Sequence, residues 1–149
     1  MRIAIVLLFA VSLSVAAPVP KEVKKSDAEL LEGQWEVVMQ DRGDGPKAPT
    51  GDVAKYLWVF KEGKLHVGKA GDEGPPRVLK LDPTASPKEL DFGWGEAAMN
   101  PAIYKIDEDT LTICHGWHGQ KRPTEFKGEG DGKRDCYVLK RVTNEKKAK

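Results

Sequence analysis

The stretch SDAELLEGQWEVVMQ (Ser26–Gln40) changes its periodicity at the centre. Ser26 carries the side chain of a helix N-cap, and Glu29 stands at the spacing of a capping box. Gly33 then ends the helix after one or two turns, since glycine adopts the backbone that closes a helix. From Gln34 onward the pattern is that of a strand, with Trp35, Val37 and Met39 predicted on one face.

The same strand period runs through the rest of the chain. Seven further segments read as short strands: Tyr56–Phe60, Lys64–Val67, Arg77–Leu81, Glu89–Phe92, Ala102–Ile106, Thr110–Cys114 and Cys136–Val142. Gly, Pro and Asp clusters separate them. FKEGKL places Glu62-Gly63 at a hairpin tip, and KIDEDTL makes a second hairpin around Glu108. Short strands at regular spacing suggest a barrel or a sandwich. No helical pattern is long enough to cross over between parallel strands, so the sheet is expected to be antiparallel.

Gly33-x-Trp35 on the first strand and Arg141 on the last together resemble the lipocalin-like (calycin) barrels. The resemblance implies an all-β antiparallel barrel of about eight short strands with a short N-terminal helix. It also implies that Trp35 closes one end while Arg141 packs across its ring, a contact worth roughly 0.5–2 kcal/mol. LDPTASPKELDF (81–92), AIYKIDEDTLTIC (102–114), RPTEF (122–126) and VLKR (138–141) follow in order. With LEGQWEV they are similar to a family of small secreted domains abundant in planctomycete bacteria. That family has no established activity, so the likeness implies fold and export but no reaction. CHGWHG (114–119) departs from the family pattern, in which an apolar or Pro-containing loop follows the cysteine.

The length of 149 residues fits one domain. Met1-Arg2 precedes the apolar run IAIVLLFAVSLSVA, which is shorter than the ~20 residues of a membrane span. Ser14 and Ala16 suit the −3 and −1 positions of a signal cleavage. The expected organisation is a signal peptide over 1–16, a Pro- and Lys-rich linker over 17–25, a barrel domain over 26–142 and a basic tail over 143–149. An uncleaved anchor is the competing reading of the first segment. Loss of residues 1–16 removes Arg2 and no acid, leaving 23 basic and 23 acidic residues. A net charge of zero gives no reason to expect nucleic acid as a partner. The segment composition implies no stable membrane insertion and a secreted or periplasmic location.

CHGWHG concentrates a thiol, two imidazoles and an indole. As a nucleophile pair, Cys114 and His115 fail, because neighbours on a strand point to opposite faces. His118 could serve Cys114 if the chain turns at Gly116. A metal would need a third ligand beside His115 and His118, from Cys114 or from His66. The bland alternative ends the strand at Cys114, leaves the histidines solvated and lets Trp117 cover an open barrel end. In an oxidising compartment Cys114 and Cys136 could instead pair, both sulfurs lying outside the barrel if the apolar faces lie within. Two free thiols are the alternative. Ser26 and Ser86 offer poor prospects as nucleophiles, one as a probable cap and one in a turn. Asp107, Glu108 and Asp109 read as a solvated hairpin tip. Arg122 could bind a carboxylate ligand or hold a neighbouring loop.

The reading that results is an exported, non-enzymatic lipocalin-like domain that binds a small apolar molecule or a protein partner and needs no cofactor. The lumen is expected to be modest, with Tyr56, Trp58, Phe60 and Trp94 able to fill it. The competing reading is a hydrolase or metal-dependent enzyme acting at the Cys114–His118 end. If the first segment is a signal, the intact mass of the extracytoplasmic protein lacks residues 1–16. A mass that retains Met1–Ala16 overturns the export expectation.

Overall fold

The computed structural model describes residues 24–143. The expected signal segment, most of the expected linker and nearly all of the expected basic tail therefore lie outside the described residues. The chain forms a short helix, α1 (Asp27–Leu31), and eight strands: β1 (Gly33–Asp41), β2 (Tyr56–Lys61), β3 (Lys64–Lys69), β4 (Arg77–Asp82), β5 (Lys88–Gly93), β6 (Met99–Asp107), β7 (Thr110–Gly116) and β8 (Arg134–Arg141). Each strand pairs antiparallel with the next, and β1 pairs with β8 to close the barrel. The all-β lipocalin-like architecture is thus that of the protein.

Local chemistry explains the first turn of the chain. Glu29 N donates to Ser26 Oγ at 3.3 Å, and Ser26 N donates to Glu29 Oε2 at 2.8 Å, which completes the capping box. Gly33 ends the helix with φ +120°, a region that side chains disfavour. A Cβ there would also lie 3.2 Å from Arg141 Nη1. At the β2–β3 tip Glu62 and Gly63 both take positive φ, as a two-residue hairpin requires.

α1 lies across one end of the barrel and buries Leu31 in the core. Its Asp27 accepts from Lys88 Nζ and from Tyr104 Oη, both at 2.7 Å. Burial opposes ionisation of Asp27, but these two donors hold its carboxyl below the usual range. Trp35 is fully buried beneath the helix and donates from Nε1 to Leu31 O at 2.8 Å. Arg141 is the direct cross-strand partner of Trp35, and its guanidinium carbon stands 4.1 Å from the ring centroid. It also donates to Glu32 O at 2.8 Å and to Leu30 O at 2.6 Å. Its Nε meets Asp109 at 3.1 Å, so the β6–β7 tip serves the clamp and is not merely solvated.

Inward side chains fill the half of the barrel next to this plug, with Phe60, Leu65, Leu90, Tyr104, Leu111, Ile113 and Leu139 all buried. Cys114 and Cys136 are register partners on β7 and β8 and form a disulfide. Both face outward, where Ile103 packs on them in a small second cluster. The bridge joins positions 22 residues apart, and closing a loop of that length stabilises by about 3 kcal/mol.

One expectation about facing is corrected. Val37 and Met39 are separated by a β-bulge, which inserts a residue and reverses the alternation. Met39 therefore leaves the face of Trp35 and Val37 and lines an outer groove with Val138 and Phe126. A second irregularity is the β3–β4 seam, which pairs only Lys64 with Val78 and Leu65 with Arg77. Beyond it, β3 is met by the 70–76 loop instead, with His66 Nδ1 3.1 Å from Gly74 O.

The clamp yields a stability prediction. Trp35→Leu should cost about 2–4 kcal/mol from lost core volume. Arg141→Ala should cost about 2–4 kcal/mol, because helix carbonyls lose charged donors as well as the stacking. Since each residue holds the other, the double variant should fall short of the sum by about 0.5–2 kcal/mol in denaturant melts. Simple additivity would show that the two act independently.

Candidate functional site

The end opposite α1 is built differently. There polar and aromatic residues outnumber aliphatic ones along the inner wall. A cavity of about 220 Å³ opens at this mouth, walled by Trp58, Val67, Arg77, Phe92, His115 and Tyr137. Tyr56, Asn100, Trp117 and Arg42 complete its rim.

Strand alternation places the inner residues. On β7, Leu111, Ile113 and His115 share the inward face, and on β8 Asp135, Tyr137 and Leu139 do so. Trp58 meets Phe92 edge-on at 5.6 Å and Tyr137 at 5.5 Å, which forms an aromatic floor. His115 stacks on Tyr137 at 5.8 Å and meets the edges of Phe92 and Trp117 at 5.2 Å.

His115 is therefore only 3 % exposed, which corrects the expectation of a solvated imidazole. Its Nδ1 lies 3.3 Å from Gly116 O, an acceptor that fixes the proton on that nitrogen. Burial pulls its pKa below the ordinary histidine value, with Arg77 adding to the effect while Gly116 O and Asp135 oppose it. The ring is neutral at pH 7.

The charges at the mouth divide unequally. Asp135 is buried, accepts from Tyr137 Oη at 3.1 Å and pairs with Arg42 at 3.7 Å. Burial and then the Asp135 charge push the Tyr137 hydroxyl up to about 12. Gln40, with its amide oxygen turned to the guanidinium, also accepts from Arg42. Arg77 has no such company. Its Nε is buried with no hydrogen-bond partner, and among the described residues no carboxylate pairs with it. Its one contact of note is the Trp94 ring, 4.8 Å from the guanidinium carbon. Burial alone lowers its affinity for a proton, though a guanidinium stays charged in proteins. An unsatisfied buried donor costs about 1–3 kcal/mol.

The other expected residues fall elsewhere. Cys114 is bonded to Cys136 on the outer face, so it offers no thiolate to His118, which is exposed. The Cys114–His118 end thus lacks the nucleophile that the hydrolase reading needed. His66 is turned to Gly74 O on the far side of the barrel wall. Among the described residues, no group of three or more His, Cys, Asp or Glu side chains is placed to hold a metal ion. Trp94 is 62 % exposed and does not fill the lumen, because it follows β5 at the rim and lies over Arg77. Trp117 stands at the mouth as expected, half-exposed.

Arg122 holds a loop and does not face the cavity. It donates to Asp91 through Nη2 at 2.9 Å and to Ala102 O at 2.7 Å, and meets Glu89 at 3.1 Å. Asp41 performs a related task between the β1–β2 and β7–β8 connections. It accepts from the backbone N–H of Gly43, Gly45 and Gly128, and the Gly43 bond leads in holding its carboxyl below the usual range.

Sequence reasoning missed Arg77 and misplaced His115, although both were legible. Arg77 alternates with Leu79 and Leu81, and His115 with Ile113 and Leu111, so each belongs to an inward face. No helix among the described residues is long and apolar enough to cross a membrane. The chain matches no protein-family model, no curated protein and no solved structure.

The buried imidazole makes stability depend on pH. In the unfolded chain His115 takes its proton near pH 6.5, whereas the folded protein resists it until lower pH. The unfolded state therefore binds more protons below pH 6.5, and stability falls as the pH drops through that window. His115→Phe should flatten the decline between pH 7 and 5 in denaturant melts. An unchanged slope would place the responsible proton elsewhere.

Proposed function

We propose that the protein is an exported, non-enzymatic binding domain of the small lipocalin-like type, holding a small molecule at the mouth of its barrel. The observation that carries this reading is the mouth cavity itself. The α1 end keeps a cavity of only about 40 Å³ beside Leu31 and Phe60, whereas the other end keeps about 220 Å³ open above an aromatic floor. An apolar cavity of about 150 Å³ is enough to accept benzene, so one ring with a polar substituent fits here. Ligand sites of this kind combine apolar walls with a few placed polar groups, here Arg77, Asn100, His115 and Tyr137.

Export is supported by the signal-like run over residues 3–16 and by the disulfide, since such bridges persist in oxidising compartments. The resemblance to the secreted planctomycete domains points the same way. Binding is favoured because the cavity is lined by no serine, threonine or cysteine and no carboxylate, and its aromatic floor is held in fixed ring contacts.

Chemical-shift mapping with benzyl alcohol, a neutral one-ring probe, tests the site. Shifts should concentrate on Trp58, Val67, Phe92, His115 and Tyr137. Val67→Trp, which fills the cavity, should abolish them while leaving the rest of the spectrum in place. Shifts scattered over the surface, or unchanged by Val67→Trp, would overturn the mouth as the binding site.

A further inference from the structure

Resting on the mouth cavity as a binding site, we infer that its ligand carries a carboxylate and that Arg77 receives it. Five arginines lie among the described residues. Four of them are matched by acids: Arg42 by Asp135, Arg122 by Asp91, Arg134 by Glu129 and Arg141 by Asp109. Arg77 alone faces the cavity without an acid, and its buried Nε has no acceptor.

The geometry around Arg77 suits a planar anion. The Trp94 ring lies 4.8 Å from the guanidinium carbon. A ring face attracts the cation without offering a lone-pair acceptor, so Nε is left without a hydrogen-bond partner. A carboxylate meets such a fork through two parallel hydrogen bonds. The opposite side of the rim discourages a second negative charge, because Asp135 is buried there and already engages Arg42. Between the two lies the floor of Trp58, Phe92 and Tyr137, which takes an apolar or aromatic body. The ligand class is therefore a small monocarboxylic acid with a single ring or an apolar group of similar size.

Titration of the exported protein with benzoate and with benzyl alcohol at pH 7 tests this, since the two share a ring and differ in charge. Benzoate should bind at least tenfold more tightly. Arg77→Met should erase that preference while retaining benzyl alcohol binding. It should also melt no lower than the native protein, because it removes an unpaired buried charge. Arg77→Lys should keep only part of the preference, since an ammonium cannot form the fork. Equal binding of the two probes, or a full preference kept in Arg77→Met, overturns the carboxylate assignment and leaves the cavity standing. If Arg77→Met does not fold, a full preference kept in Arg77→Lys overturns the assignment in the same way. Binding of neither probe overturns the mouth reading and this inference with it.

Discussion

The guanidinium of Arg141, lying across the Trp35 ring, is the contact through which the first and last parts of the fold hold one another. It joins four pieces of chain. Trp35 belongs to β1, Arg141 to β8, the accepting carbonyls to the end of α1, and Asp109 to the β6–β7 turn. A five-residue helix has no stability of its own, since isolated helices need ~12–15 residues even to be marginal. α1 persists because its terminal carbonyls find donors in Arg141 and Trp35, and because Leu31 is buried with them. Gly33 completes the arrangement, because its φ of +120° is one that side chains disfavour and a Cβ there would press on Arg141 Nη1 at 3.2 Å. Barrel closure, which the β1–β8 ladder carries along six register pairs, is therefore coupled to helix docking through this clamp.

The two ends of the barrel differ in how far their polar groups are satisfied. At the plugged end every charged group described above has a partner, and only about 40 Å³ stays open between α1 and the strands. At the mouth the aromatic residues are too rigid to collapse inward, because Trp58, Phe92, His115 and Tyr137 hold each other in edge and stacked contacts. The result is a preformed hollow, so a ligand need not open it. Preorganisation of this kind reduces the ordering cost of binding.

Much of this was written in short-range patterns. The capping box, both hairpin tips and all eight strands follow from local spacing, and strand alternation alone puts Cys114 and Cys136 outside. Three things broke the pattern. The bulge after Val37 reverses the face of Met39, and a bulge leaves no mark in apolar periodicity beyond an extra residue. Trp94 reads as a core residue by type, but it follows Gly93 at the end of β5, beyond the reach of the alternation. β7 runs on past Cys114 to Gly116, so the face that His115 shares with Ile113 and Leu111 decides its burial. Arg77 obeys the same rule of alternation. Residue type argued for solvent, and position argued for the lumen.

The lone charge of Arg77 is bound up with the weakest joint in the sheet. After Leu65, β3 leaves β4 and takes the 70–76 loop as its neighbour. That loop approaches so closely that a Cβ on Gly68 would stand 2.1 Å from the Asp72 carbonyl oxygen, a clash with backbone that glycine avoids. The loop gives β3 one main-chain bond, from Asp72 N to Lys69 O at 2.9 Å, and returns to the barrel at Arg77. Arg77 stands in the last pair of the seam, opposite Leu65, so its cross-strand neighbour on β3 is a buried aliphatic side chain and supplies no compensating acid. Beyond that pair the guanidinium has the Trp94 ring beside it and lines the cavity. An apolar partner at the end of the shortest seam thus leaves the buried Nε without an acceptor at the mouth of the barrel.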